Sequence, residues 1–269
     1  MPTFSIIIPT FNAEHTLGKA LDSIAAQSYA DFEVLIQDGL STDRTLAIVE
    51  TYREKILQLS ITSEADKGIY DGMNKALSRA NGEYIYFMGS DDAFFSPDVL
   101  SEIGYEILES PVDVIYGDVM STRFNGRYDG PFTAEKIVKQ NICHQAMFMN
   151  RSVFDRIGTF KLIYPAQADW HHNINWLLHP KVSHQYVDMI VAHYADGGFS
   201  STNNDLRFRM DKGWFVIKKG LFKISGKTLR DVVDESLSYS RQAGNTSMIL
   251  RYKIMSILVK VGRKLKLLK

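Results

Sequence analysis

The chain predicts an α/β fold, with a mostly parallel central sheet flanked by helices and a helical C-terminal extension. Three observations carry this. Short apolar runs alternate with helical periodicity through residues 4–88, which is the pattern of βαβ units with right-handed crossovers. Those runs close on turn or polar residues: Pro9, Asp38-Gly39 and Gly89-Ser90. Beyond Asn204, helical stretches dominate.

The elements follow in order. Phe4–Pro9 reads as a buried strand. Leu17, Leu21, Ile24 and Ala25 recur at helical spacing, and Phe32–Ile36 gives a second strand ending at Asp38-Gly39. Ser41-Thr42-Asp43 caps a helix whose inward positions are Leu46, Ile48, Val49 and Tyr52. Residues 56–61 form a third strand, Gly68–Ala80 a helix and Tyr84–Met88 a fourth strand. The second half is less regular. Strands are expected at 113–116, 146–149 and 182–191, and a helix at Asp169–Leu178 before Pro180. Residues 119–132 alternate around Asn125-Gly126, a hairpin-turn dipeptide. The organisation divides into residues 1–200, with a nucleotide-type half over 1–92 and an acceptor-type half over 93–200, and an extension over 201–269.

At 269 residues, the chain has room for one large domain or one domain with an appendage. Its zero formal net charge argues against general nucleic-acid binding. The single cysteine, Cys143, has no partner for an internal disulfide and reads as an inert buried thiol. Neither a basic leader followed by a long apolar stretch nor a window of about 20 apolar residues is visible. The expectation is a cytoplasmic protein, free or bound to the cytoplasmic face of a membrane.

Asp91-Asp92 is the most informative feature. The pair follows the apolar run Tyr84–Met88, which places two carboxylates at the carboxyl edge of a sheet, where open α/β sheets bind ligands. Adjacent like charges repel unless a cation or hydrogen-bond donors offset them. Hard cations such as Mg²⁺ or Mn²⁺ take such oxygens and often complete their shell with phosphates. A turn or helix-cap role is the alternative for an isolated Asp-Asp.

The chain carries four blocks in a fixed order: Ser5–Asn12, Gln37–Thr45, Ser63–Lys75 and Gly89–Asp92. Together they resemble the family 2 glycosyltransferases, densely over residues 4–92 and more thinly to about 200. The resemblance implies a GT-A-like, Rossmann-type sheet and transfer of a sugar from a nucleotide-diphosphate donor, expected to be UDP-linked, to an acceptor hydroxyl with inversion. It places the donor against Pro9, Thr10, Asn12, Asp38, Asp66, Lys67, Gly68 and Asp91, with Asp38 facing uracil. It gives Asp92 a Mg²⁺ or Mn²⁺ ion, with His193 as a further ligand. Gln167-Ala168-Asp169-Trp170 resembles the acidic motif whose last carboxylate deprotonates the acceptor, a role suited to a carboxylate whose pKa burial has lifted. Many members carry Glu-Asp where this chain has Ala168-Asp169. His144-Gln145 resembles an acceptor-region motif, and His193 with Asp196–Ser200 resembles a loop that closes over the donor.

Simpler readings stand beside these. Asp38 fits a turn before Gly39, Asp66 and Asp169 fit helix caps, and Lys67 fits a solvated surface. His171-His172 diverge on a helix and are not read as a zinc pair. Trp170, Trp176 and Trp214 read as packing residues. Two other function classes remain: a sugar-phosphate nucleotidyltransferase, for which Pro9-Thr10-Phe11-Asn12 lacks a glycine-rich basic loop, and a non-catalytic nucleotide-sugar-binding module. From Arg251 to Lys269 there are seven Lys/Arg and no acid, interleaved with Leu250, Ile254, Ile257, Leu258, Val261, Leu265 and Leu268. This basic amphipathic pattern fits either a terminal helix packed on the domain or an anchor to anionic lipid. In the second case the acceptor would ride on a lipid carrier, as in assembly of a bacterial surface polysaccharide.

Overall fold

The computed structural model describes residues 1–195 and 205–264. The expected loop Asp196–Ser200 and the tail beyond residue 264 lie outside these. One nine-stranded sheet organises the chain. Its first half is parallel throughout: β1 (Phe4–Thr10), β2 (Phe32–Asp38), β3 (Leu59–Ser63) and β4 (Tyr84–Phe87) lie in the order β3-β2-β1-β4. The isoleucine run of β1 is central and fully buried, as expected of a strand covered on both faces. Helices α1 (Leu17–Ala25), α2 (Thr45–Glu50) and α3 (Ile69–Leu77) supply the crossovers. The third strand begins later than the apolar run from Ile56. Pairing decides this, because Val34 takes Leu59 as its partner and Ile56 is buried in the preceding turn.

The second half mixes directions. β5 (Ala93–Phe94) and α4 (Val99–Glu109) follow the Asp-Asp pair, and then come β6 (Val114–Ser121) and β7 (Gly126–Tyr128). The hairpin is present: Asn125 and Gly126 both take positive φ, at 56° and 132°, and Ser121 pairs with Gly126. α5 (Ala134–Ile137), β8 (Met147–Asn150), α6 (Ser152–Ile157), α7 (Ala168–Leu177) and β9 (His184–His193) complete this half. β8 runs antiparallel to β4, with Tyr86 opposite Phe148. The start of β8 therefore lies beside the end of β4, which brings His144-Gln145 to Asp92. β9 is parallel to β6 and its last residues flank β5.

Every residue of α7 is buried, so this helix needs cover on all sides. One side faces the sheet, where Trp176 meets Tyr116. The other is covered by α8 (Leu206–Gly220), through Trp170–Phe208 and His171–Phe215 ring contacts. Phe208, Phe215 and Val216 thereby join the main core. α9 (Gly226–Gln242) packs on α8, and α10 (Thr246–Lys264) closes a small outer cluster of Val233, Leu237 and Tyr252. Trp170 and Trp176 are core residues, whereas Trp214 is partly exposed beneath the Arg251 guanidinium. No helix among the described residues is long and apolar enough to cross a membrane.

Candidate active site

A cleft of about 570 Å³ opens at the carboxyl ends of β1 and β4 and the start of α3, lined by Pro9, Thr10, Asn12, Asp66, Lys67, Gly68, Asp91, Asp92, His144 and Gln145 among others. This size falls in the usual range for small-molecule sites. Parallel register brings the strand ends together at the cleft. Thr10 pairs with Asp38 across β1 and β2, and Met88 bonds to Ile7, so the Gly89–Asp92 turn emerges at the end of β1.

Gly89 is what admits both carboxylates. A Cβ there would lie 2.5 Å from Asp92 Oδ2 and 2.8 Å from Asp91 Oδ1. Asp92 is only 1% exposed. Its Oδ2 accepts from the Gly89 N–H (3.0 Å) and Gln145 Nε2 (2.7 Å), and its Oδ1 from the Ala195 N–H (2.9 Å). Burial raises its pKa above the ordinary value, and the Asp91 charge adds to that against the relief from Ala195 and Gln145. Among the described residues no third acid, histidine or cysteine completes a metal cluster with the pair, and no Lys or Arg is salt-bridged to either carboxylate.

The corner before α3 is held by its own acids. Asp66 Oδ1 accepts from the Gly68 N–H and Asp71 Oδ2 from the Lys67 N–H, each at 2.9 Å. Gly68 takes φ 109°, open to glycine alone at low cost. Asp66 thus both lines the cleft and caps the corner. Lys67 is the only Lys or Arg lining the cleft among the described residues. Asn12 sits in the left-handed region at φ 48° and its carbonyl accepts from the Thr42 N–H, so much of its side chain's capacity holds the β2–α2 loop.

Three expected site residues lie elsewhere. Asp38 is fully buried and does not line the cleft. Its oxygens accept from Thr10, Ser41 and Ser63 hydroxyls and the Ser41 N–H. Burial pushes its pKa up, but these donors outweigh that and lower it. It stands behind Thr10 as a buried brace in place of an open contact for a base. His193 is not brought to Asp92. Pairing with Ala93 sets its ring over Phe95 (4.9 Å), beside a smaller cavity that it lines with Lys19. The segment reaches Asp92 through the Ala195 backbone instead.

Asp169 also stays out of the cleft wall. It opens α7, is 7% exposed, and accepts on Oδ1 from Tyr70 OH (2.7 Å) and the Trp170 N–H (2.8 Å). Its Oδ2 accepts from Asn141 Nδ2 (2.8 Å) and lies 3.5 Å from His144 Nδ1. Burial would lift its pKa, yet the interactions with His144, Tyr70 and the Trp170 N–H prevail and the net shift is downward. This reverses the expected direction. His171 and His172 are buried, His172 against the Gly158 carbonyl and His171 against Asn175.

Tyr70, Asn141 and Gly89 carry roles that no single-residue reasoning assigned. Tyr70 lies inside the quoted Ser63–Lys75 block, so a signal was present, and the structure shows what much of that block does. Tyr70 holds Asp169, and Asn74 bonds both backbone groups of Phe160 at 2.8 and 3.0 Å. The block ties α3 to the loop that leads into α7. Asn141 gave no signal, because its partner is 28 residues away.

Residues 5–166 match the family model described as "Glycosyl transferase family 2". The chain belongs to glycosyl transferase family 2. It is a glycosyltransferase, and the nucleotidyltransferase and silent-module readings fall away. It is 40% identical over 211 residues to the PGL/p-HBAD biosynthesis glycosyltransferase of Mycobacterium tuberculosis, covering 77% of this chain and 82% of that one. It is 32% identical over 219 residues to the Escherichia coli UDP-Glc:alpha-D-GlcNAc-diphosphoundecaprenol beta-1,3-glucosyltransferase WfgD, with coverage of 79% and 84%. The structure of residues 1–349 of S. aureus TarS in complex with UDP-GlcNAc superposes with a TM-score of 0.72 at 22% identity, over 90% of this chain and 74% of that one. The GT-A fold of this glycosyltransferase is thus shared with TarS.

Proposed function

We propose that this glycosyltransferase moves a sugar from a UDP-sugar to a hydroxyl of a lipid-linked acceptor, with inversion and with a divalent cation, in assembly of a bacterial surface glycan. One observation carries the reading: a single cleft is lined by the Asp91-Asp92 pair and by His144, whose Nδ1 lies 3.5 Å from the buried Asp169 carboxylate. UDP-sugars appear in the names of both WfgD and the TarS complex, and a diphosphoundecaprenol acceptor in that of WfgD. Thr10, Asn12 and the Asp66–Gly68 corner would border the nucleotide.

Asp91 and Asp92 fit a hard cation. They are adjacent, both line the cleft, and Gly89 leaves the space in front of them that a Cβ would fill. Two carboxylates, with phosphate and water for the rest, is a common Mg²⁺ arrangement. Such an ion would offset the charge that gathers on the departing diphosphate. The chain's own residues do the rest: Lys67 adds positive charge, the cleft aligns the reactants, and the acceptor proton is drawn toward Asp169 beside His144. The test is transfer from UDP-sugars to polyprenyl-diphosphate acceptors, with and without EDTA. Turnover that EDTA abolishes and Mn²⁺ restores is expected; turnover indifferent to EDTA removes the cation, and inertness with every UDP-sugar removes the donor assignment.

Helix α10 supports the membrane side of the reading. Tyr252, Ser256 and Val259 are buried on one face, while Leu250, Ile254, Ile257, Leu258 and Val261 are exposed on the opposite face. Arg251 flanks this exposed stripe on one side and Lys253 and Lys260 on the other. An apolar stripe between cations matches an anionic bilayer surface, to which each basic residue contributes about 1 kcal/mol. Flotation with phosphatidylglycerol vesicles, but not phosphatidylcholine vesicles, is expected. Ile254→Asp with Ile257→Asp should abolish it without shifting the melting curve. Absence of flotation, or a dimer in sedimentation that the double variant dissolves, assigns the stripe elsewhere.

A further inference from the structure

We infer that Arg209 and Lys212, on the first helix of the C-terminal extension, are positioning residues for sugar transfer: through the Trp170 ring they hold the Asp169 carboxylate in place. The inference rests on the reading in which Asp169 draws the acceptor proton, and it adds the residues that keep that carboxylate oriented. Both lie outside residues 5–166, the stretch that the family model covers.

Four observations lead there. First, Lys212 is a buried charge. It is 1% exposed, and burial lowers its pKa against the pull of Glu235. Lysine is almost never fully buried unless it is paired. Its Nζ lies 2.6 Å from Glu235 Oε2, and Arg209 Nη1 lies 3.0 Å from Glu235 Oε1. Second, both cations lie over one ring, that of Trp170, at 4.8 Å for Lys212 Nζ and 5.0 Å for Arg209 Cζ. Indole is the best of the aromatic partners for a cation. Phe208, one turn before Lys212, packs on the same ring at 5.2 Å, and the Trp170 Nε1–H donates to the Ile137 carbonyl at 2.7 Å. Third, the Trp170 backbone N–H donates to Asp169 Oδ1 at 2.8 Å. Ring and carboxylate are therefore joined through a single residue. Fourth, α8 also holds the approach to Asp169. Asp205, its cap, accepts from the Phe208 N–H (2.9 Å) and the Ala166 N–H (3.3 Å), and the Ala166 carbonyl accepts from Tyr70 OH (3.3 Å). The turn that carries Asp169 is thus gripped at Ala166 and at Trp170 by the same helix.

Energetics separate this role from simple stabilisation. A buried ion pair loses much of its Coulomb gain to desolvation, and an apolar side chain of similar volume often serves stability as well or better. What such a side chain does not supply is a cation directed at the indole face. Two cations tied to one carboxylate fix the ring, and with it the N–H that orients Asp169. A misplaced reacting group costs rate even where the fold is intact, about 100-fold for roughly 1 Å.

The experiment compares Lys212→Met, Arg209→Met and the two combined in the full-length chain, with wild type and Asp169→Asn alongside. Transfer from a UDP-sugar is measured together with melting curves, with and without UDP. Each single variant leaves Glu235 one of its two cations. kcat should fall about 10-fold in either single variant and about 100-fold in the combination. The melting temperature of Lys212→Met should hold or rise, while the donor KM and the UDP-induced shift stay at wild-type values. A slower enzyme that is no less stable is a split that a merely structural pair would not give. The pH profile adds a second readout. Lys212→Met with Glu235→Gln removes one charge of each sign, and the acid limb of its kcat/KM profile should move to higher pH, because the Trp170 N–H is among the donors that hold the Asp169 pKa down. Tyr70, Cys143, His144 and His172, the other titratable groups around that carboxylate, are untouched in this variant. The inference is overturned if both single variants keep the wild-type kcat, if kcat falls only in step with the melting temperature, or if the acid limb stays where it was. Full activity in Asp169→Asn sinks the proton-transfer reading itself. A crippled Asp169→Asn beside fully active Lys212 and Arg209 variants overturns this inference alone.

Discussion

One buried carboxylate lines the cleft and another lies beside it behind His144, and the two behave oppositely. Asp92 and Asp169 are 1% and 7% exposed, so burial pushes both pKa values up. At Asp92 that push wins, helped by the Asp91 charge next to it. At Asp169 it loses to His144, Tyr70 and the Trp170 N–H. Burial alone therefore does not assign a role to a carboxylate. At Asp92 three hydrogen bonds do not outweigh burial and the adjacent Asp91 charge. At Asp169 the neighbours stabilise the charge and burial loses.

The contrast breaks most sharply at Gly89. Gly89→Ala pushes a methyl group into both carboxylates and should lower turnover about 10³-fold, comparable to losing a main electrostatic stabiliser; steady-state kinetics at saturating Mn²⁺ reads this, and a rate within tenfold of wild type would detach Asp91 and Asp92 from catalysis. Stability separates the two carboxylates next. Asp169→Asn should cost about 1–3 kcal/mol at pH 7, and Asp92→Asn, measured in EDTA, should cost less, because the charge it removes was unfavourably buried. Urea titrations that rank them the other way would erase the distinction.

The pH dependence sharpens the same point. The Asp169 carboxyl is held below its ordinary value in the folded chain, so its contribution is complete above the unfolded pKa of about 3.9 and is lost as pH falls through the folded value. The stability gap between wild type and Asp169→Asn should accordingly close as pH drops below about 4. Tyr70→Phe gives the smallest effect, about 1 kcal/mol, with UDP binding unchanged in a thermal-shift titration.

Much of the cleft lining was legible because it is local. Strand ends, the Gly89–Asp92 turn and the Asp66–Gly68 corner are each contiguous, and alternation of apolar runs sets which chain ends meet. Asp38 was placed at the end of its strand, but its surroundings were not legible. Three hydroxyls from Thr10, Ser41 and Ser63 converge on it, and convergence from three segments is not a local property. Helix α4 went unassigned although Val99, Leu100, Ile103 and Ile107 are buried at helical spacing, since no motif drew the eye to it.

By itself, the sequence determined the parallel half of the sheet, the carboxylate pair at its edge and the hairpin at Asn125-Gly126, because backbone preference and hydrophobic period act between near neighbours. Only the tertiary structure decided the surroundings of Asp169. The antiparallel return of β8 puts His144-Gln145 beside the end of β4, and α7, sealed under α8, delivers Asp169 to Tyr70, Asn141 and that histidine. Those partners lie 25 to 99 residues from Asp169 in the chain. Strand direction and helix cover, not any neighbouring residue, set the environment that fixes its charge.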